Sequence, residues 1–321
     1  MVSILICTRN RRRNLEQTLQ ALERVEIPAQ RTVELVLVDN GSTDETAAFL
    51  QAYQWPHGPV RVASEPLPGK GHAYNRGLSV AEGEILLLTD DDVRPPRDWI
   101  AGMCEPIWSG RADMVAGGVR LAPPLARDWM TPSLRSFLSS TELLSAVDPA
   151  WVVAANLAFS RRVLARVPAF DPELGPGALG FEDEVLFSWQ AREAGFRIVG
   201  MFDYPMEHWF DAQRLRRAAL VGYLRAHGRS KAYIAYHWEH RDQAHPRLAR
   251  WRAAVRWLTF HLRHPAERRR HEGISEAEGE LLREIGYFEQ YLVERRRPRN
   301  YARRGLVKSA GQWSRHESSA P

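Results

Sequence analysis

The sequence predicts an α/β fold: a mainly parallel sheet with helices on both faces, followed by a helical extension. Three observations carry this. Short β-branched and apolar runs alternate with helically periodic segments through the first hundred residues. Those runs are apolar at nearly every position, as strands buried on both faces are. From about residue 211 only helical patterning remains.

In chain order, VSILICT reads as a strand, and RNRRRNLEQTLQALERV as a helix on which Leu15, Leu19 and Leu22 recur at helical spacing. VELVLVDN is a second buried strand. STDETAAFLQAY is a second helix, with Ser42 or Thr43 available as its cap and Asp44 and Glu45 favouring the dipole. VRVASE is a third strand, GHAYNRGLSVAEG a helix closed by Gly83, and EILLLTD a fourth strand. Beyond residue 98 the alternation loosens. ADMVAGGVRL and AWVVAANLAFS read as strands, SRRVLARV as a helix, FDPELGPGALG as a loop, EDEVLFSWQAREAG as a helix ended by Gly195, and FRIVGMF as a last strand. No internal repeat is visible. The expected organisation is a first domain over 1–210, a basic helical extension over 211–300 and a frayed tail over 301–321.

Composition narrows the class. With 321 residues, 44% hydrophobic and 26% charged, the chain reads as soluble and globular. The two cysteines, Cys7 and Cys104, exclude a disulfide framework and suit a reducing cytoplasm. MVSILIC is too short an apolar run for a signal peptide, and no stretch is long enough to span a bilayer. The net charge of +5 conceals an asymmetry: 20 Lys+Arg against 27 Asp+Glu over 1–208, and 24 against 12 over 209–321. An acidic first part and a basic second part suggest two jobs.

Ligands of open parallel sheets bind beyond the carboxyl ends of the strands. TRNRRRN, DNGSTD and DDDV follow strands one, two and four, so they should share one crevice. No GxGxxG or GxxxxGK[ST] follows the first strand, which takes most of the weight from the dinucleotide and P-loop readings. Asp39 closes strand two and can accept from a base N–H or a ribose hydroxyl; its plainer reading is a turn residue. Asp90 and Asp92, two apart in extended chain, should share a side with Asp91 pointing away, a pairing suited to Mg²⁺ or Mn²⁺ with room left for a diphosphate. The plainer reading is a solvated acidic turn, with Asp98 capping the next helix. Glu182, Asp183 and Glu184 open a helix, where capping is the plain reading and a general base for an alcohol nucleophile the functional one. His208, after the last strand, is a candidate metal ligand.

Taken together, SILICTRNR, LVLVDNGSTDET, GKGHAYNRGL, EILLLTDDDV, VAANLAFSRRVL with FDPELG, and GFEDEVLFSWQAREAGFRI resemble the family 2 glycosyltransferases of GT-A fold, in order and over roughly 1–208. The resemblance implies transfer of a sugar from a nucleotide-sugar donor, usually a UDP-sugar, with inversion and with Mn²⁺ or Mg²⁺ as cofactor. It implies Thr8 and Arg9 at the nucleotide pocket, Asp39 on the base, Asp90, Asp91 and Asp92 as the acidic metal motif, Asp92 as the direct ligand and Asp91 reaching the ribose. Asp183 corresponds to the catalytic base and His208 to a histidine near metal and diphosphate. Lys70, Arg76 and Arg9 could add positive charge at the phosphates. Processive relatives carry Gln-x-x-Arg-Trp and membrane helices; here the helix reads Trp189-Gln190-Ala191-Arg192-Glu193, so one sugar per encounter is expected.

In PRLARWRAAVRWLTFHLRH, Leu248, Trp251, Val255, Leu258 and Leu262 form a stripe flanked by Arg250, Arg252, Arg256 and Arg263. Such a helix suits an anionic membrane surface, and the plainer reading packs the stripe on the first domain or a second copy. The expected enzyme thus works in the cytoplasm, at the inner face of the membrane if the helix docks there, on a glycan or lipid-linked acceptor. Nucleic acid is not an expected partner. Two other readings are an inactive sugar-nucleotide-binding scaffold, which would have no need of Asp90, Asp92 and Asp183, and a nucleotidyltransferase, whose glycine-rich first loop TRNRRRN lacks.

Overall fold

The computed structural model describes residues 1–309. Its strands are β1 (Val2–Thr8), β2 (Val33–Asp39), β3 (Val60–Ser64), β4 (Ile85–Thr89), β5 (Val93–Arg94), β6 (Met114–Leu121), β7 (Asn156–Ser160) and β8 (Ile198–His208). Its helices are α1 (Arg12–Leu22), α2 (Thr46–Ala52), α3 (Lys70–Val80), α4 (Trp99–Trp108), α5 (Pro132–Ser136), α6 (Asp183–Glu193), α7 (Arg217–His237), α8 (Pro246–Arg263), α9 (Pro265–Arg268) and α10 (Glu276–Glu294).

The strands form one eight-stranded sheet in the order β3-β2-β1-β4-β7-β6-β8-β5. The first four are parallel, β7 runs antiparallel to both its neighbours, and β6 and β8 are parallel. Alternation along each apolar strand feeds two cores. Ile4, Ile6, Leu35, Leu37 and Leu87 pack on one face with Leu15 and Leu19 of α1. Leu5, Val36, Val38, Leu86 and Leu88 pack on the other with Tyr74 and Leu78 of α3. These are the helices on both faces that the doubly apolar runs require.

Local details depart from the sequence reading. Neither Ser42 nor Thr43 caps α2: the Ser42 amide donates to Asp39 Oδ1 at 3.1 Å, the Thr43 amide to Asn10 at 2.7 Å, and Asp44 accepts from Thr46 at 3.0 Å. The loop is tied to the ends of β1 and β2 before the helix begins. Asp98 precedes α4 but makes no side-chain cap bond. Helix α3 ends at Val80, and Gly83 instead donates its amide to Ser3 Oγ at 2.7 Å. SRRVLARV is a short 3-10 turn (Arg161–Ala165), and His208 is the last residue of β8 rather than beyond it.

Helices α7 and α10 pack together through Leu220, Leu224 and Leu282, with Arg217 ion-paired to Glu278. Of the tail expected to fray, residues 310–321 lie outside the described residues, but 301–309 is anchored at two points: Tyr301 and Lys308 are buried. The reason is electrostatic, since Lys308 Nζ and the Tyr301 and Tyr233 hydroxyls converge on buried Asp171 at 2.8, 2.7 and 2.7 Å. Helix α8 buries Pro246, Ala253 and His261. Its stripe does not pack on the first domain: Trp251, Leu258 and Leu262 are 62%, 53% and 71% exposed. Among the described residues no helix is long and apolar enough to cross a membrane.

Candidate active site

Because β2, β1 and β4 are neighbours in register, with Thr8 opposite Asp39 and Ile6 opposite Thr89, the loops after them open on one side. Thr8 Oγ1 donates to Asp91 Oδ2 at 2.7 Å, joining the end of β1 to the acidic turn after β4. That turn is not extended chain, so strand alternation does not govern it. The carboxylates brought together are Asp91 and Asp92, spanned by the Arg11 guanidinium at 2.7 and 2.8 Å. Asp90 faces elsewhere, pairing with Lys70 Nζ at 2.5 Å at the start of α3.

Strand β8 ends beside the turn, and His208 Nε2 lies 3.2 Å from Asp92 Oδ1. His208 Nδ1 sits 2.9 Å from the Leu138 carbonyl oxygen. A carbonyl only accepts, so Nδ1 carries the hydrogen, and in the neutral ring Nε2 turns a lone pair towards the carboxylate. Two buried acceptors facing each other call for a cation or a proton. Arg214 approaches Asp92 to 3.9 Å and lies over the Phe210 and Tyr223 rings. Among the described residues no three His, Cys, Asp or Glu side chains form a metal cluster by themselves. Asp92 and His208 are instead a partial donor set of the kind that Mg²⁺ or Mn²⁺ completes with phosphate oxygens and water.

The ionisation states follow from burial and these neighbours. Burial lifts the Asp91 carboxyl to about 6 against the opposing charge of Arg11. Burial also works against Asp92, but His208, Arg11 and Arg214 overcome it and hold that carboxyl well below the carboxylate range. Lys70 is half-buried, which disfavours its charge, yet Asp90 holds its ammonium well above the usual lysine range. Cys7 lines the same site, and burial keeps it a neutral thiol.

Facing the acids is the start of α6. Glu182 has left-handed backbone, φ 74°, and neither it nor Asp183 is used in capping. Glu182 is held by His227 at 2.9 Å and Lys231 at 2.8 Å, both on α7. Asp183 is 2% exposed, and its Oδ2 has no hydrogen-bond partner. Gly175, φ +78°, lies against it, and a Cβ there would be 2.6 Å from Asp183 Cγ. Burial and then Asp183 push the Glu184 carboxyl well above its ordinary range. A cavity of about 750 Å³ connects the two acidic groups. Its far wall is α7, where Ala218, Gly222 and Ala226 fall on one face at four-residue spacing.

Of the sequence-predicted residues, Thr8, Arg9, Lys70, Asp90, Asp91, Asp92, Asp183 and His208 all line this cavity. Asp39 is buried just behind it, bonded to the Ser42 amide, while its neighbour Asn40 reaches the lining. Arg76 is exposed on α3 and is not part of the lining. Sequence reasoning missed Arg11, Arg214, His227 and Lys231. Arg11 stands out only as one of several arginines after β1, and the other three lie in the extension, where no local pattern links them to acids far away in the chain.

The Glycosyl transferase family 2 model matches residues 3–165. Glycosyltransferase GlyG of Streptococcus pneumoniae is 30% identical over 100 residues, 31% of this chain and 33% of that protein. The glucosyl-dolichyl phosphate glucuronosyltransferase of Haloferax volcanii is 22% identical over 184 residues, 54% of this chain and 57% of that one. The matched stretch thus spans between a third and somewhat over half of these relatives. Among solved structures, the mannosyltransferase PcManGT from Pyrobaculum calidifontis, in complex with GDP-Man and Mn²⁺, is similar at TM-score 0.56 and 20% identity, covering 91% of this chain and 69% of that one. TarS of S. aureus is similar at TM-score 0.51 and 18% identity, covering 78% and 43%. These likenesses show a shared GT-A glycosyltransferase fold.

Proposed function

The chain belongs to glycosyl transferase family 2, and from that premise we propose that it moves one sugar from a nucleoside-diphosphate sugar, with UDP as the nucleotide, to an acceptor hydroxyl with inversion. The acceptor is a cell-surface glycan or a lipid-linked sugar, consistent with relatives named for dolichyl phosphate substrates and for succinoglycan biosynthesis. The observation that carries the reading is the buried, unpartnered Oδ2 of Asp183 in the same cavity as the Asp90–Asp92 turn.

Thr8, Asp39 and Asp91 take the nucleoside side, as the ends of three adjacent strands. Lys70, fixed by Asp90, and Arg9 hold diphosphate charge. Asp183 Oδ2 accepts the proton of the acceptor hydroxyl. The acceptor oxygen bonds to the anomeric carbon from the face opposite the diphosphate, and the carbon–oxygen bond to phosphate breaks with its electron pair leaving on the nucleoside diphosphate. A divalent cation, Mn²⁺ or Mg²⁺, held when bound by Asp92 and His208, would supply Lewis-acid stabilisation of that leaving group. The exposed stripe of α8, with Arg247, Arg250, Arg252 and Arg263 exposed beside it, supports docking of the enzyme on an anionic membrane surface, where a lipid-linked acceptor resides.

The reading is tested by thermal stability with UDP, GDP, CDP and ADP, each with and without Mn²⁺. A ligand at a hundredfold excess over its Kd raises stability by about 2.7 kcal/mol. A Mn²⁺-dependent shift with UDP, absent in Asp92→Asn, is expected. A preference for another nucleotide replaces the donor, and no shift with any of them overturns the proposal.

A further inference from the structure

We propose that Arg11 is an internal counter-cation for the acidic turn, occupying in the free enzyme the charge position that a divalent cation takes over, and that the guanidinium released by this exchange turns to the diphosphate. This rests on the metal-dependent reading above and concerns how the same site is kept before substrate arrives.

Three of the four carboxylate oxygens of Asp91 and Asp92 accept from a donor, and two of those three bonds come from Arg11. Asp91 Oδ2 accepts from Thr8 and Oδ1 from Arg11; Asp92 Oδ2 accepts from Arg11 and Oδ1 faces His208. A cation entering at Asp92 meets the Arg11 guanidinium on the same carboxylate and competes with it for that charge. Thr8 ends a buried strand, and His208 is 2% exposed and tied to the Leu138 carbonyl, so neither can withdraw without moving the sheet. The Arg11 side chain is 35% exposed and springs from the residue just before α1, so it can swing away, whereas Arg214 stands farther off at 3.9 Å and lies over the Phe210 and Tyr223 rings. Both its ion pairs are charge-assisted and share one planar fork, which makes them strong competitors for a hard cation. Arg11 also lines the cavity, so on leaving the acids it remains within reach of a ligand there. Diphosphate and metal would thus favour each other's binding, because one takes the guanidinium that the other expels.

The test is Mn²⁺ binding without nucleotide, read from the free-Mn²⁺ electron paramagnetic resonance signal, for the full chain and for Arg11→Gln, Arg11→Lys and Asp92→Asn. Arg11→Gln should bind Mn²⁺ about tenfold tighter than the parent, the scale of one lost charged hydrogen-bonding partner. Arg11→Lys, which keeps the charge and loses the fork, should fall between the two. A merely structural role for Arg11 would not tighten metal binding. Should Arg11→Gln fail to fold, Arg11→Lys still decides, since it too must bind more tightly than the parent. Unchanged or weaker binding in the Arg11 variants, alongside loss in Asp92→Asn, overturns the counter-cation role and leaves the metal reading standing. Absence of Mn²⁺ binding in all four proteins removes both.

Discussion

Replacing Gly175 by alanine should damage catalysis without touching any residue that contacts the nucleotide. A Cβ at this position lies 2.6 Å from Asp183 Cγ, 2.7 Å from Oδ2 and 2.8 Å from Oδ1. Ordinary contact begins at 3.4 Å, so the carboxylate must retreat by about 0.8 Å or the loop must open. The loop is held, because Gly175 donates its amide to the Phe181 carbonyl at 3.0 Å and accepts from Gly180 at 2.8 Å. The shift therefore falls on Asp183. A misplacement near 1 Å costs on the order of 10²-fold in rate. The left-handed φ of +78° adds about 1–2 kcal/mol of backbone strain for any residue with a Cβ, lowering Tm by a few degrees. Turnover at saturating donor and acceptor should drop while nucleotide affinity, measured separately, stays at the parent value. A folded Gly175→Ala enzyme with kcat within about threefold of the parent would show that Asp183 is not the base or that its position does not limit the reaction.

Asp183→Asn removes the proposed proton acceptor and keeps the shape, so transfer should fall by about 10²–10⁴ with nucleotide binding intact; wild-type turnover would refute the assignment. Burial opposes the charge on Glu182, but Lys231 and His227 prevail and hold its carboxyl at about 2, below the ordinary 4.5. A depressed carboxyl stabilises the fold fully above the unfolded value and loses that contribution as pH falls towards the folded one, so Glu182→Gln should cost on the order of 3 kcal/mol at pH 7. In urea melts the gap between the two proteins should narrow from pH 5 downward; a gap independent of pH would mean that the ion pairs do not supply it. Trp251→Glu and Leu258→Glu alter residues 62% and 53% exposed, so stability should change by no more than about 0.5 kcal/mol. Both should lose binding to vesicles rich in phosphatidylglycerol, and retained binding would exclude α8 as the docking face.

The parts of the site legible in the sequence are those where chemistry sits at the end of a strand. Apolar runs with no polar face announce buried strands, and Thr8 and the Asp90–Asp92 turn lie at or just past the ends of two of them, whereas His208 ends the longer, half-buried β8 that runs past the apolar FRIVGMF. Asp183 was legible as an acid at a helix start, but only its burial and unpartnered Oδ2 separate it from a capping residue. Asp39 shows how two readings can hold at one residue: the Ser42 amide on its Oδ1 fixes the turn, while the carboxylate stays at the end of β2 beside the lining residue Asn40.

The sequence by itself determined the alternation of strands and helices, the acidic crevice and the helical extension, because hydrophobic periodicity and strand-end composition are local properties of the chain. Only the tertiary structure decided which charge meets which. Arg11 reaches Asp91 and Asp92 from 80 and 81 residues away, and Glu182 finds its cations on a helix that composition assigned to a separate job. The same packing turned the small-residue face of α7 into a cavity wall and left the stripe of α8 outside. Such pairings depend on how elements stack across long sequence separations, where desolvation and geometry select among many cations that look alike when read along the chain.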